Sequence, residues 1–268
     1  MRQWRLIDDC PAVGAYNMAL DEAILDAVSS RRVEPTLRLY AWNPPCLSLG
    51  YGQKSSDLDF ARAESLGWDV VRRPTGGRAI LHTDELTYSL TLPADDDLAS
   101  GTVVDSYRRI SAALVSGLSN LGLASQADRR AERSVSGAVC FETPSHYEIT
   151  VEGRKLVGSA QLRRHAGILQ HGSLPLSGDL SRICDALVYP DDPSRASAKS
   201  HVHARAITLS EALNRPISWR ILADALILGF SEAFAVTFAP ESLTAAEHAR
   251  ATHLSAEIYN NPDWTRRR

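Results

Sequence analysis

A chain of 268 residues is long enough to bury a substantial core without disulfides or metals. Its net charge of −3 excludes a global basic field for nucleic acid, and four scattered cysteines without a C-x-x-C pair exclude a disulfide framework and indicate no metal site. Asp8 and Asp9 stand where a secretory signal would need an apolar run, and no segment approaches the ~20 apolar residues of a membrane span. A cytoplasmic protein that acts on a protein or a small molecule, away from membranes, is expected.

From Tyr16 to Val28, Leu20, Ala23, Ile24, Ala27 and Val28 recur at helical spacing while Asp21, Glu22 and Asp26 fall elsewhere, which predicts an amphipathic helix. Leu37 to Trp42 reads as a strand, Asn43-Pro44-Pro45 as a break, and Cys46 to Leu49 as a second strand ending at Gly50. A helix is predicted over Leu58 to Leu66 and a short β-prone run over Trp68 to Val71. Leu86 to Leu92 alternates as a half-buried strand would, and Ile110, Leu114, Leu118 and Leu121 mark a helix over Tyr107 to Leu121. Tyr147 to Val157 alternates on either side of Glu152-Gly153, predicting a hairpin. A polar loop is expected from Asp191 to Ser200, a capping box at Thr208 and Glu211, and a helix from Trp219 to Phe234. The elements together predict a mixed α/β fold, read as one domain over 1–268 with a helical C-terminal portion from about residue 205.

Three segments could carry chemistry. In Arg72-Arg-Pro-Thr-Gly-Gly-Arg-Ala-Ile-Leu-His82, Gly76 and Gly77 permit close approach of backbone to a ligand, and flanking Arg73 and Arg78 could pair with an anion; a tight turn with solvated arginines is the alternative. In Gly153 to Gln161, Lys155 precedes the small residues Gly158, Ser159 and Ala160, which could form an acyl groove with a charge at its head; an ordinary surface lysine beside a turn is the alternative. Gln170-His171-Gly172-Ser173 adds another glycine beside polar side chains, with a hydrogen-bonded core or surface histidine as the alternative for His171. In Gly137 to Tyr147, Cys140 has a thiol suited to thioester exchange, with Lys155 as a cation able to enlarge its thiolate fraction; a small buried hydrophobe is the alternative, and that is the expected state of Cys10, Cys46 and Cys184. His82, His146 and His171 are each candidate proton carriers.

Together and in this order, these segments resemble the lipoate and biotin protein ligases and octanoyltransferases. The resemblance extends over Asn17 to Leu25, Leu37 to Gly50, Arg72 to His82, Gly153 to Gln161 and Gln170 to Ser173. Arg73 to His82 and Cys140-Phe-Glu-Thr-Pro-Ser-x-Tyr-Glu148 are most similar to the cysteine-dependent octanoyltransferase branch. The resemblance implies a mixed central sheet flanked by helices, with the Gly-Gly loop and the Lys155 segment lining one acyl tunnel. Cys140 and Lys155 would be catalytic, and Arg73, Gly76, Gly77, Arg78, His82, Gly158, Ser159, Ala160, His171 and Gly172 would bind substrate. It implies octanoyl transfer from acyl carrier protein to a lysine of glycine-cleavage H protein or another lipoyl domain, through a thioester on Cys140, in a monomer without metal or cofactor. Burying about seven methylene and methyl groups at 0.8 kcal/mol each supplies at most about 6 kcal/mol of chain recognition.

Other readings remain within that resemblance. An ATP-dependent lipoate ligase would be expected to have a third glycine at the position of Arg78 and an Asp-x-Gly-Asn stretch in place of Thr83-Asp-Glu-Leu86. An amidotransferase moving octanoyl between lipoyl domains would differ around Arg78 to His82. A carrier-protein binder without chemistry would not need both Cys140 and Lys155. The ending Tyr259 to Trp264 is similar to ligases and transferases alike.

Overall fold

The computed structural model describes residues 2–128, 148–164 and 166–268. Cys140 and His146 lie outside them. The strands are β1 (Arg2–Asp8), β2 (Thr36–Tyr40), β3 (Cys46–Leu49), β4 (Asp69–Arg72), β5 (Ile80–His82), β6 (Glu85–Pro93), β7 (Gln126–Asp128), β8 (Glu148–Val151), β9 (Arg154–Arg164), β10 (Gly167–Pro175) and β11 (Val236–Pro240). The helices are α1 (Gly14–Ser29), α2 (Phe60–Ser65), α3 (Val103–Asn120), α4 (Asp192–Arg205), α5 (Leu209–Leu213), α6 (Trp219–Phe234), α7 (Ala245–Leu254) and α8 (Pro262–Thr265). An eight-stranded sheet runs β11-β1-β2-β6-β10-β9-β8-β7, and a three-stranded sheet runs β4-β3-β5. Strand β1 is parallel to both of its neighbours, and from β2 across to β7 the pairs are antiparallel, so the large sheet is mixed as expected.

The two faces of the large sheet differ in chemistry. Leu37 and Leu39 of β2 and Leu86, Tyr88, Leu90 and Leu92 of β6 share one core with Ile110 and Leu114 of α3 and Leu226 and Phe230 of α6. The alternate positions, Arg38 and Tyr40 of β2, Thr87 and Ser89 of β6, and His171 and Ser173 of β10, point the other way, because successive side chains of a strand take opposite faces. Helix α1 covers that polar face and packs against β6 and β10.

Several expectations meet corrections here. Strand β6 is buried along its whole length rather than half-buried, since its polar residues face a helix and a cavity instead of water. Helix α1 is present, but Asp21 and Glu22 are also buried, each held by paired partners. Residues 192–200, expected as a loop, open helix α4: the Asp191 side chain accepts the Ser194 N–H at 2.7 Å, and Pro193 suits a first turn, where its missing N–H leaves no bond unmade. Helix α3 starts a turn before Tyr107 because Thr102 and Asp105 cap each other. Cys46 and Cys184 are buried as expected, whereas Cys10 is exposed in the loop after β1.

The hairpin between β8 and β9 turns at Glu152 (φ 51°) and Gly153 (φ 76°), two left-handed residues that match the twist of the paired strands. Helix α6 and the capping box at Thr208 fall where the sequence placed them. The mostly helical C-terminal portion also supplies β11, which closes one edge of the large sheet. No helix of the described residues is long and apolar enough to cross a membrane.

Candidate active site

A cavity of about 530 Å³ opens between the polar face of the large sheet and the loops of the small one. Its floor is Gly158, Ser159 and Ala160 of β9 with His171, Gly172 and Ser173 of β10, and register places Ala160 beside His171 and Gly158 beside Ser173. Its rim is Gly52, Gln53, Arg73, Gly76, Gly77 and Arg78. Met18 of α1, Tyr40, Trp42 and Ile80 give it apolar walls. The size is within the range of ordinary small-ligand sites, and five of the six floor residues are small. A Cβ added at Gly172 would overlap the Ser159 hydroxyl and stand 2.7 Å from a Tyr88 ring carbon and 2.8 Å from the Gly158 carbonyl oxygen. That Cβ points away from the cavity, toward the core behind the floor, so Gly172→Ala is expected to cost about 1–3 kcal/mol of stability in urea titration by crowding Tyr88 and Ser159.

Arg73 builds the rim. Its guanidinium donates to the Ser48 carbonyl at 2.9 Å, to the Gly76 carbonyl at 2.9 Å and to the Arg78 carbonyl at 2.7 Å, so it folds the Gly-Gly loop back on β3. Arg72 likewise donates to the carbonyls of Gly50 and Gln53, both at 2.7 Å, and to that of Thr265 at 3.0 Å. The pairing with an anion considered for Arg73 and Arg78 is thus replaced, at Arg73, by bonds to backbone oxygens, while Arg78 stands half-buried at the mouth. Gly77 has φ +98°, and a Cβ on Gly50 would collide with the Gly77 carbonyl, so the two loops touch through positions that need glycine. Gly50→Ala is expected to displace the Gly-Gly loop and lower octanoyl affinity by about tenfold or more, measured by calorimetry; unchanged affinity would remove the loop from the site.

Both cavity histidines have their ring nitrogens engaged. His82 stacks on Trp42 with centroids 4.0 Å apart, contacts Glu85 through Nδ1 at 2.8 Å and Ser48 through Nε2 at 2.7 Å. Glu85 in turn accepts from the Thr87 and Ser173 hydroxyls, and Trp42 donates to Thr87 at 2.8 Å. His171 contacts Asp21 through Nδ1 at 3.1 Å and Thr75 through Nε2 at 2.7 Å. Neither presents a vacant nitrogen to a substrate, so in this arrangement both serve as wall and scaffold.

Asp21, which the sequence reading left on the polar side of its helix, is the buried centre of this scaffold. It accepts from Arg38 at 2.8 Å and from Tyr40 at 3.0 Å. Burial pushes its carboxyl up, but the His171 bond and the Arg38 charge and hydrogen bond outweigh burial and leave it below the usual carboxylate range. The Tyr40 hydroxyl is pushed well above its usual range by burial and by Asp21. Because the folded state binds the Asp21 proton more weakly than the unfolded chain does, its contribution is full above the ordinary carboxylate range and is lost as pH falls through the depressed value. The melting temperature is accordingly expected to hold from neutrality to about pH 5 and to fall below about pH 4; a rise on acidification would contradict the pairing. Its place in the sequence, off the apolar stripe of Leu20 and Ile24, gives no sign of this burial.

Lys155 lies on β9 three residues before Gly158, buried, with its ammonium 2.6 Å from Glu148 on β8. Its carbonyl accepts the Ile207 N–H at 3.0 Å, which ties this part of β9 to the segment before α5. It is not among the described residues that line the cavity, and Cys140 lies outside the described residues.

Residues 14–231 match the model of the lipoyl protein ligase A/B catalytic domain. The chain belongs to this family. An octanoyltransferase LipM of Carboxydothermus hydrogenoformans is 41% identical over 98% of both chains, and one of Kyrpidia tusciae is 41% identical over 100% of both. Among solved structures, a bipartite lipoate protein ligase of Thermoplasma acidophilum superposes with TM-score 0.83 at 24% identity, covering 99% of this chain and 97% of that one. A lipoate-protein ligase A bound with ATP gives TM-score 0.82 at 24% identity over 99% of each chain. These likenesses establish the lipoate-ligase fold for this catalytic domain.

Proposed function

We propose that this family member is an octanoyltransferase of lipoate biosynthesis, which moves octanoyl from acyl carrier protein to a lysine of a lipoyl-domain protein, glycine-cleavage H protein in particular. The observation that carries the reading is the cavity itself: apolar walls, a floor that includes Gly158, Ser159, Ala160 and Gly172, and a rim that includes the Gly-Gly loop. Full-length relatives named octanoyltransferase support the acyl group. In the proposed reaction the Cys140 thiolate attacks the thioester carbonyl of octanoyl-phosphopantetheine, and the carrier thiolate departs and takes up the proton that Cys140 lost. Lys155, with backbone N–H groups, stabilises the oxyanion formed in that attack. The acceptor amine then attacks the Cys140 thioester, forms an amide, and its proton returns to the departing Cys140 sulfur.

Both cavity histidines are held by side chains of the scaffold, and Lys155 is the group we assign to oxyanion stabilisation. The thioester supplies the activation of the acyl group, so the transfer proceeds without ATP. Octanoyl appearing on an acceptor lipoyl domain from octanoyl-acyl carrier protein, with ATP omitted, tests the reading. Modification that requires ATP and free octanoate would instead make the chain a ligase.

A further inference from the structure

Thr75 is the point at which the small sheet's loops meet the large sheet. Its carbonyl accepts the Tyr51 N–H at 2.8 Å, so it holds the Gly50–Gln53 loop, and Gly76 and Gly77 follow it directly in the other rim loop. Its hydroxyl reaches across to His171 of β10 at 2.7 Å. Thr75 and Asp21 are both fully buried, and His171 is buried apart from its cavity edge.

The direction of the Asp21 bond follows from charge. Ionised Asp21 has acceptors only, so His171 donates its Nδ1–H to it, and the Nε2 on the other side of the ring is left to pair with the Thr75 hydroxyl. Arg38, itself fixed by Asn17 at 2.8 Å and Asp9 at 2.7 Å, holds the Asp21 carboxylate in place, so the imidazole has one orientation. Elsewhere the two sheets are bridged by His82 of β5 and Glu85 at the start of β6. Loss of the Thr75 bond would release the rim loops without parting the sheets.

We propose that Thr75, oriented by the buried Asp21–His171 pair, is a positioning residue that latches both rim loops over the cavity and slows escape of the acyl arm. The inference rests on this cavity being the acyl site but not on the chemistry of Cys140. The test uses S-octyl-pantetheine, a thioether that cannot transfer its chain, with calorimetry for affinity and hydrogen exchange for the rim.

Thr75→Val keeps the shape and removes the hydroxyl, and is expected to weaken binding about tenfold and to speed exchange of the Tyr51 and Gln53 amides, both hydrogen-bonded in the natural rim. Thr75→Ser keeps the hydroxyl and is expected to bind within about threefold of the natural chain. A valine variant that binds and exchanges like the natural chain overturns the latch. So does a serine variant weakened as much as the valine one, because shape rather than the hydrogen bond would then matter. If the natural chain itself fails to bind the thioether, the octanoyl reading falls, while unchanged exchange of the Tyr51 and Gln53 amides in Thr75→Val would still overturn the latch on its own.

Discussion

Cys140→Ala is expected to lose octanoyl transfer by at least about a thousandfold while melting at the same temperature as the natural chain. The size of the loss follows from the proposed mechanism: without the thiolate no acyl-enzyme would form, and a carrier-bound thioester would have to meet the acceptor amine directly. The change removes one sulfur atom, so packing alters little. Assay of transfer beside thermal unfolding separates the two effects. Transfer within about tenfold of normal would exclude a covalent intermediate at this residue, since loss of a nucleophile costs far more than that.

Lys155→Met carries the second large effect, a loss of about a hundredfold to a thousandfold in both half-reactions, the usual range for removing one oxyanion donor. Methionine keeps most of the buried stem and deletes the charge. It also leaves Glu148 without the ammonium now 2.6 Å away, at a carboxylate whose side chain keeps 14% exposure. That residual contact with water limits the stability loss to about 1–3 kcal/mol, less than breaking a fully buried pair. Single-turnover measurement of Cys140 acylation and of transfer to the acceptor reads each half-reaction separately. A defect confined to carrier affinity would move Lys155 from chemistry to docking.

The cavity floor was legible in the sequence because small residues are informative where they cluster: Gly158 to Ala160 and Gly172 lie on adjacent strands, and register brings them together. The Gly-Gly loop was legible for the same reason, with Gly77 at φ +98°. What supports that loop was not. Arg73 reads as a surface cation but donates to two loop carbonyls and to the Ser48 carbonyl of β3, and nothing in its spacing reveals buried acceptors. Asp21, His171 and Thr75 are separated by up to 150 residues in the chain and meet only through tertiary packing.

Strands β1 and β10 were missed because a strand with one apolar and one buried polar face does not look like a strand with one wet face. Arg5 of β1 is buried against Glu247 of α7, and His171 and Ser173 of β10 face α1 and the cavity, so polar residues there mark the interior and not the surface. The helix at Asp192–Arg205 was missed for a related reason. Its few buried residues, Ala198 and Val202, give a weak apolar stripe, and its capping by Asp191 carries more of the signal.

The central claim is a covalent octanoyl thioester on Cys140, and intact-protein mass spectrometry tests it most directly. The protein is mixed with octanoyl-acyl carrier protein without ATP, and spectra are taken before and after a lipoyl-domain acceptor is added. The account predicts an octanoyl adduct on Cys140 that disappears as the acceptor gains the same mass. An unmodified enzyme in the absence of ATP, with acceptor modification appearing only when ATP and free octanoate or lipoate are supplied, would contradict it.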